Sequence, residues 1–524
     1  MQRRTFLATT AAALASPALA TAQGRGVLRF IPQADLAVLD PIWTTAYVTR
    51  NHGYLVWDTL YGWDSGFVAR PQMVEGHVVE NEGKLWKLTL RPGLVFHDGE
   101  PVRARDCVAS LQRWAKRDNW GRLLMAATDE LSAADDRTIV FRLRRPFPQL
   151  PDALGKATNS IAFIMPERLA ATDPFKQVPE FVGSGPFRFK ADERVPGASV
   201  VYERFDRYVP RPDGTPDWTA GPKVVNFDRV EWTTQTDPST AAGALRSGEA
   251  DWWELPPPDL LPLLRSDRGL RVYVQDPTGF IGIFRMNHLQ SPFDNPAIRR
   301  ALFGAVDQRE VLLAAAGDDP AMWQDKVGYF CPGTPMASTV GMEALTSPRD
   351  MAKVRADLKS AGYAGEKIIL LGATDIPILK AVADVTNDFL VKAGLNVDYV
   401  ATDWGTVVQQ RTRKEPADTG GWHCYSNWTG GVDQITPLTH TNLWVGANAA
   451  PGWPNSPRLE ELAADWLAAA DQAARQRVAA DIQRQAFIDV PYIPLGQVAA
   501  PTAFRTNLRG TMKGFPVFWS LSRG

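Results

Sequence analysis

The sequence predicts an α/β protein built from several lobes. Its 524 residues indicate three to four domains or one large unit, since an average domain has roughly 150 residues. The first half shows mostly strand-like patterns, whereas the second half has helical periodicity around a strand–helix–strand unit. Hydrophobic residues make up 45% and charged residues 22% of the chain, so it can bury a large core.

Strands with few helices are predicted in the first half. Residues 84–91 alternate apolar and polar side chains, which predicts a strand with one buried face, and residues 138–144 predict another. Between them, residues 104–115 repeat apolar side chains at helical spacing. The glycines and proline of residues 182–189 indicate a tight turn into a strand, where the chain could cross between domains.

Helices with clear end signals are predicted in the second half. An Asn-Pro pair at 295–296 opens one helix. Asp307 and Glu310 form a capping-box pattern for the next helix, which ends at Gly317. A Ser-Pro pair at 347–348 opens a third helix.

Residues 366–400 predict a strand, an amphipathic helix and a second strand. Such units bind ligands beyond the carboxyl ends of their strands. Those ends are residues 372–375 and 401–404. The second half is therefore predicted to be an α/β ligand-binding lobe.

Charge and cysteine content exclude several functional classes. Lysine and arginine number 57 against 58 acidic residues, a net charge of −1. With no basic run beyond arginine pairs, binding to nucleic acid or anionic lipid is disfavoured. Cys107, Cys331 and Cys424 are far apart and lack a CxxC spacing, which excludes zinc ribbons and disulfide-dense scaffolds. We expect Cys331 and Cys424 to be separate buried thiols, although one disulfide between them is the alternative.

The first 22 residues are typical of an export signal. Arg3 and Arg4 precede Thr-Phe-Leu and an alanine-rich stretch, a pattern that resembles twin-arginine signals. Cleavage is expected after Ala20 or Ala22, and no cysteine follows that could carry a lipid anchor. The pattern predicts a periplasmic protein. No later stretch has the roughly 18–20 apolar residues of a membrane-spanning helix.

No catalytic motif is recognisable. There is no GxSxG or P-loop pattern, and the six histidines neither show the HExxH spacing nor cluster with cysteine. We therefore predict a binding protein rather than an enzyme, with no cofactor and no metal. A metal site assembled from distant segments stays an open alternative.

Five segments then carry a resemblance to a known family: Leu39-Asp40-Pro41 with Val56–Leu60, Leu85–Arg105, Val182–Phe187, Ala244–Asp251 and Met286–Asp307. They resemble, in order, the family 5 extracellular solute-binding proteins, the oligopeptide-, dipeptide- and nickel-binding group that serves ABC importers. The resemblance covers almost the full mature length. It implies a periplasmic binding protein-like fold of class II type, with two α/β ligand-binding lobes, a hinge and an extra smaller domain.

The resemblance also implies domain boundaries and partners. The first domain would comprise residues 23–56, 183–276 and 493–524, the second residues 57–182 and the third residues 277–492. A ligand would lie between the first and third domains, which close over it and are then read by an inner-membrane ABC permease with its cytoplasmic ATPase. A receptor that opens and closes is expected to be a monomer.

The ligand predicted by the resemblance is a di- or oligopeptide whose α-ammonium is bound by Asp433. A buried ammonium requires an anionic acceptor. However, Gly430-Gly431-Val432 precedes Asp433, and Thr436 stands where the family often has a second acid. Two alternatives follow: Asp433 caps a turn, or the scaffold binds a metal chelate, opine or oligosaccharide. A secreted hydrolase and a chaperone-like protein are competing functional classes.

The other candidate ligand-binding residues are aromatic or polar. Tryptophans could form cleft walls or pack in the core, and residues after Pro41 could offer backbone to an extended ligand. These candidates are Trp43, Thr44, Thr45, Tyr47, Trp404, Trp422, Ser426, Asn427, Trp428 and Gln497.

Overall fold

The structure, a computed structural model, describes residues 26–524. The predicted signal peptide lies outside the described residues. Among those residues, no helix combines the length and apolar character needed to cross a membrane.

The regular elements are given in chain order. Strands β1 to β21 are Val27–Ile31, Asp58–Thr59, Tyr61–Trp63, Ala69–Pro71, Val74–Glu80, Leu85–Leu90, Thr128–Ala133, Thr138–Leu143, Phe163–Ile164, Phe187–Phe189, Ser199–Arg204, Arg229–Thr233, Trp252–Trp253, Leu270–Met286, Trp323–Gln324, Lys367–Ala373, Asn396–Thr402, Cys424–Gly430, Ile493–Arg505, Leu508–Arg509 and Ser522–Arg523. Helices α1 to α15 are Tyr47–Val56, Ala104–Ala115, Asn119–Ala127, Leu150–Gly155, Glu167–Ala170, Pro238–Ser247, Leu261–Ser266, Pro296–Ala301, Gln308–Ala316, Glu343–Thr346, Met351–Ser360, Pro377–Lys392, Trp404–Gln410, Pro457–Ala468 and Gln472–Asp489.

One large sheet runs through the molecule in the order β10-β11-β12-β1-β13-β19-β14-β18-β16-β17, with β15 paired to β19. At one end, β1 is parallel to β12 and β13. At the other end, β16 is parallel to β17 and β18. We call β1, β10–β13 and α1 the first lobe, and β16–β18 with α9 and α12 the second lobe. The α/β class and the two-lobed organisation are confirmed.

The long antiparallel strands β14 and β19 join the two lobes. Leu270–Val274 pairs with Pro501–Arg505 beside the first lobe, whereas Phe280–Phe284 pairs with Ile493–Val498 beside the second. The register shifts between these two stretches, so residues 275–279 form a bulged segment. Bulges interrupt the ladder and bend the strand, which makes this segment the natural place for a change of direction.

Gly279 ends the bulged segment with a φ of +49°. A Cβ at this position would lie 2.2 Å from the carbonyl oxygen of Val498 on β19. Only glycine permits this close approach in a left-handed conformation.

A smaller domain contains the four-stranded sheet β5-β6-β8-β7. The predicted strand at residues 84–91 is confirmed as β6, in which Trp86, Leu88 and Leu90 are buried. The predicted helix at residues 104–115 is α2, which packs against β7 and β8. The alternation in β6 and the apolar stripe of α2 together form the core of this domain.

The predicted strand–helix–strand unit is confirmed as β16, α12 and β17. The strands pair in parallel from Lys367 opposite Asn396 to Ala373 opposite Thr402. Gly394, with a φ of +90°, forms the turn after α12.

One predicted helix start is wrong, and one predicted capping box is incomplete. The third predicted helix, α11, begins at Met351 rather than beside Pro348, because the Asp350 carboxylate accepts two backbone N–H groups of the first turn. Asp307 caps α9 as predicted, but Glu310 does not complete a capping box. Its carboxylate instead accepts hydrogen bonds from Arg349. The three cysteines are buried free thiols, as expected for Cys331 and Cys424.

Candidate functional site

A cleft lies where the two lobes meet. Helix α1 of the first lobe contributes one wall, and the middle of β14 and the end of β18 contribute the other. The residues used below that line it are Tyr47, Arg50, Glu254, Gln275, Asp276 and Gly430.

The position of the cleft corrects one prediction. We expected the ligand beyond residues 372–375 and 401–404, the carboxyl ends of β16 and β17. The cleft lies at the same edge of the sheet but beyond β18, next to β14. The reason is that α1 approaches the sheet at Gly430, the last residue of β18.

Asp433 lies in a short turn after β18 and joins three parts of the molecule. The Tyr47 hydroxyl, from the first lobe, donates a hydrogen bond to Asp433 Oδ2 over 2.5 Å. The Asn159 amide, from the smaller domain, donates to Asp433 Oδ1 over 3.2 Å. These partners are remote in sequence, so the carboxylate links the lobes and does not cap its own turn.

Tyr47 is held in place by a second hydrogen bond. The backbone N–H of Gly430 donates to the Tyr47 hydroxyl oxygen over 2.9 Å. A Cβ at position 430 would lie 2.3 Å from that oxygen, so glycine is needed for the contact. Packing therefore explains the glycine pair before Asp433, since Gly430 leaves room for the Tyr47 side chain of the opposite lobe.

Burial changes the titration of this pair. Burial raises the pKa of the Asp433 carboxyl, while the hydrogen bond from Tyr47 and the charge of Arg50 act in the opposite direction. Burial, together with the nearby Asp433 charge, raises the pKa of the Tyr47 hydroxyl well above its usual value. Tyr47 consequently keeps its proton and acts as the donor.

Arg50 follows Tyr47 by one helical turn and is 7% exposed. Its guanidinium lies 3.7 Å from the Phe515 ring centroid and 4.7 Å from that of Tyr47. Its Nε and Nη2 both donate to the single oxygen of the Asn51 side chain, each over 3.2 Å. Burial lowers the pKa of Arg50, and the neighbouring acids oppose this shift.

Two further carboxylates line the cleft. Glu254 accepts hydrogen bonds from the Gln33 backbone N–H and the Asn51 amide, and burial raises its pKa. Asp276 accepts hydrogen bonds from the backbone N–H and hydroxyl of Thr278. Both acids are thus bonded mainly to neutral donors.

Of the candidate residues, only Tyr47 lines the cleft, and Asp433 accepts the hydrogen bond of its hydroxyl from the turn after β18. Gln497 is buried and donates to the carbonyls of Pro277 and Thr278, so it stabilises the bulged segment from outside the cleft. Asn427 is 9% exposed on β18, short of the cleft.

The predicted tryptophan walls lie elsewhere. Trp422 is fully buried and donates to the Arg413 carbonyl. The Trp428 indole donates to the Ile378 carbonyl at the start of α12. Trp404 begins α13, outside the cleft.

The remaining polar and first-lobe candidates also lie outside the cleft lining. The Ser426 hydroxyl is bonded to that of Thr386 inside the second lobe. Trp43 lies beneath Arg117 of the smaller domain. Thr44 accepts a hydrogen bond from the Ala46 N–H, and Thr45 is exposed.

Sequence reasoning missed Arg50, Glu254, Gln275 and Asp276. For Arg50 a signal existed, because residues three apart on a helix share a face and Tyr47 was already a candidate. The other three follow or interrupt strands, and nothing in their local pattern distinguishes them from surface residues.

Comparison with known proteins agrees with this architecture. Residues 69–448 match the profile of the bacterial extracellular solute-binding proteins, family 5 middle region. The chain belongs to this family. Its members bind solutes, and their description names no catalytic activity.

Two relatives match over nearly their full lengths. The chain is 37% identical to a probable peptide ABC transporter periplasmic-binding protein of Sinorhizobium fredii, over 93% of this chain and 92% of the relative. It is 27% identical to a glutathione-binding protein of Pectobacterium atrosepticum, over 97% and 96% of the two chains.

A solved structure supports the fold. The periplasmic binding protein DppA of Helicobacter pylori, solved in complex with the peptide STSA, superposes with a TM-score of 0.76. Its sequence is 20% identical, and the match covers 95% of this chain and 98% of that one.

Proposed function

We propose that this solute-binding protein is the periplasmic component of an ABC importer and that it captures a short peptide by its free α-ammonium. The observation that carries this proposal is the partly buried Asp433 carboxylate at the meeting point of both lobes and the smaller domain. A buried carboxylate is a strong acceptor for an ammonium group, because charge-assisted hydrogen bonds are roughly twice as strong as neutral ones. The names of the two relatives support a peptide-type ligand.

In this structure the Tyr47 hydroxyl occupies the position in which a donor group of the ligand would bind Asp433. Its hydroxyl bonds Asp433 Oδ2, the kind of acceptor an incoming ammonium would use. On ligand binding, the ammonium would replace or join this hydroxyl, and the contact between the lobes would then run through the ligand. Closure of the lobes would be coupled to ligand binding in this way.

The proposed hinge is the bulged segment of β14 and the facing part of β19. The boundary at residues 276/277 falls within this segment. For the second crossing we propose a position near Ala499 rather than 492/493, because Ile493–Val498 pairs with β14 beside the second lobe. The other proposed limits, residues 23–56 and 57–182, are unchanged.

The proposal includes an export route and partners. A twin-arginine signal at residues 1–22 would deliver a folded, monomeric receptor without a lipid anchor to the periplasm. There the closed form would dock on an inner-membrane permease that is driven by a cytoplasmic ATPase.

Native mass spectrometry of protein purified from periplasm, before and after denaturation, is the test of ligand class. We expect co-purified short peptides, or binding of added di- and tripeptides and of glutathione by calorimetry. A single non-peptide mass, such as a metal chelate, an opine or a sugar, would overturn the peptide proposal while keeping the family.

The role of Asp433 is tested by Asp433→Asn. Removal of one partner of a buried charge pair costs about 3 kcal/mol, or roughly 100-fold in affinity. Asp375→Asn is the matched control, because Asp375 is a carboxylate near the predicted but incorrect ligand position. Equal affinities for the wild type and Asp433→Asn would exclude the assignment.

A further inference from the structure

Helix α14 ends against the smaller domain, and a side chain of that domain caps it. The last four carbonyl groups of a helix have no hydrogen-bond partner within the helix. Two of these carbonyls in α14, those of Trp466 and Leu467, accept hydrogen bonds from the Gln149 amide over 2.9 and 3.2 Å. Gln149 stands immediately before α4 and is fully buried. The smaller domain therefore completes a helix that is not its own.

Helices α14 and α15 are fixed to the second lobe. Arg285, in the part of β14 that pairs with β18, is fully buried. It donates hydrogen bonds to the carbonyls of Asn442 and Pro491, which stand on either side of the two helices. Arg299 of α8 also donates to the Asp489 carbonyl at the end of α15. We therefore expect α14 and α15 to move with the second lobe.

An ion pair lies beside the cap of α14. Asp152 follows Gln149 by three positions, so the two side chains lie on the same face of α4. Asp152 Oδ2 lies 3.4 Å from Nη1 of Arg475, in the first turn of α15. Both side chains are partly exposed, and the buried Nε of Arg475 has no hydrogen-bond partner among the described residues. The two domains thus meet through polar groups that water could also satisfy.

The smaller domain is attached to the first lobe by a stronger kind of contact. Arg113 and Asp40 form an ion pair with two hydrogen bonds, and Lys223 and Asp58 form a second pair. All four side chains are almost fully buried, and the loss of one partner would leave an uncompensated charge. When the proposed hinge moves, the smaller domain should therefore stay with the first lobe. Its contact with α14 and α15 is then the one that breaks.

We propose that Gln149, together with the ion pair of Asp152 and Arg475, is a latch that holds the molecule closed from outside the ligand cleft. The proposal rests on the hinge movement of the proposed function and gives the smaller domain a part in closure. None of the three residues lines the cleft. The latch should therefore favour the closed form to the same extent for every ligand.

The bonds of the latch suit a contact that opens and closes. A neutral hydrogen bond contributes little net free energy, because its separated groups bond to water instead. A partly exposed ion pair contributes even less. In the open form, water can reach the carbonyls at the end of α14 and the amide of Gln149, and no ion pair is separated inside a protein core. The latch can thus bias the equilibrium between open and closed forms without locking it.

The latch is tested with Gln149→Leu, which approximately keeps the size of the side chain and removes both hydrogen bonds. A ligand that binds only the closed form loses apparent affinity in proportion to the closed fraction. We expect affinity to fall about 5- to 10-fold, by the same factor for alanyl-leucine and for glutathione, as measured by calorimetry. Small-angle scattering of the ligand-free chain should shift towards the open form.

Gln476→Leu is the matched control. The Gln476 amide of α15 also donates to a backbone carbonyl, that of Pro335, but this bond does not involve the smaller domain. The control should change neither the affinities nor the scattering profile.

The ion pair gives a second test that does not depend on a buried position. Asp152→Asn and Arg475→Gln should each weaken both affinities by about two- to threefold. The double variant should be no weaker than either single variant, because both act through the same pair. These variants also decide the question if Gln149→Leu does not fold.

The outcomes separate the latch from the capture of peptides. Unchanged affinities and an unchanged scattering profile in Gln149→Leu would overturn the latch. Unequal losses for the two probe ligands would also overturn it, because they would mean that Gln149 contacts the ligand. A common loss supports the latch, even when the ligand-free chain is already open. If neither probe binds the wild type, the capture of these peptides fails, and an unchanged scattering profile then rejects the latch as well.

Discussion

Buried charge is arranged differently where the first lobe meets the smaller domain and where it meets the second lobe. At the contact with the smaller domain, Arg113 donates two hydrogen bonds to Asp40 over 3.2 and 2.7 Å, and both side chains are almost fully buried. Lys223 and Asp58 form a second buried pair over 2.7 Å. At the cleft, Arg50 is buried and Asp433 is partly buried, and both are bonded to neutral groups.

This difference separates a permanent contact from one that has to exchange partners. Two opposite charges joined directly inside a protein satisfy each other and resist separation, because removal of either leaves an uncompensated charge. Charges bonded to a phenol or an amide can accept a ligand's ionic group without first breaking an ion pair. The smaller domain is thus fixed to the first lobe, while the cleft remains able to bind and release.

The largest effect that we expect from this difference is on the free energy of unfolding. Arg113→Met leaves Asp40 buried without its cation and should lower the free energy of unfolding by about 3–5 kcal/mol. Arg50→Met removes no direct ion pair and should cost at most about 2 kcal/mol, the value of its aromatic stacking. Urea denaturation of the ligand-free variants measures both. A larger loss for Arg50→Met would contradict the comparison.

The two lobes can also be compared by their stability in acid. Each contains a buried neutral histidine bonded to a tyrosine hydroxyl. The pairs are His52 with Tyr202 and His440 with Tyr492, each over 2.8 Å. Burial lowers the pKa of each histidine from 6.5 to about 3. The unfolded chain therefore binds more protons below pH 6.5, and stability falls as the pH drops.

Each of these histidines should cost about 2 kcal/mol of stability between pH 7 and pH 5. In His440→Gln, the difference in unfolding free energy between the two pH values should shrink by that amount. His52→Gln gives the same measurement for the first lobe. An unchanged pH dependence in both variants would mean that these histidines do not remain neutral in the folded protein.

Ligand affinity should also depend on pH through Asp433. Burial raises the pKa of this carboxyl, and capture of an ammonium requires the ionised form. When the pH is lowered, affinity for an amine ligand should therefore begin to fall at a higher pH than it would if this carboxyl had the pKa of an ordinary aspartate. Tyr47→Phe removes a donor that opposes the shift and should move this midpoint further upward. Calorimetry across the acidic range measures both curves; identical midpoints would contradict the role given to Tyr47.

The smallest expected effect concerns the contact between the lobes. Gly430→Ala places a Cβ on the Tyr47 hydroxyl oxygen and should displace that side chain from Asp433. We expect the ligand-free protein to become more open in small-angle scattering. Affinity should change by about tenfold, since one hydrogen bond to a carboxylate is worth about 1.5 kcal/mol. Gly76→Ala, at a position with open space around it, is the control.

The family, the α/β class and many of the elements could be predicted from the amino-acid sequence. Alternation in β6, the helical stripe of α2 and the glycines after α9 and α12 are local patterns, and local patterns are what a linear reading detects. Five family segments in order implied the scaffold and brought Tyr47 and Asp433 forward as candidates. The start of α11 at residue 351 was less accurate, because several polar side chains near it could serve as the cap.

Which of these residues share the cleft depends on the assembled fold. Arg50, the stretch from Glu254 to Asp276, and Gly430 come from three distant regions of the chain, and strand pairing through β14 and β19 brings them together. The same pairing placed Trp422, Trp428 and Ser426 inside or against the second lobe. The physical reason is that burial and the identity of a charge's neighbours depend on how the sheet is assembled. No local sequence pattern records that assembly.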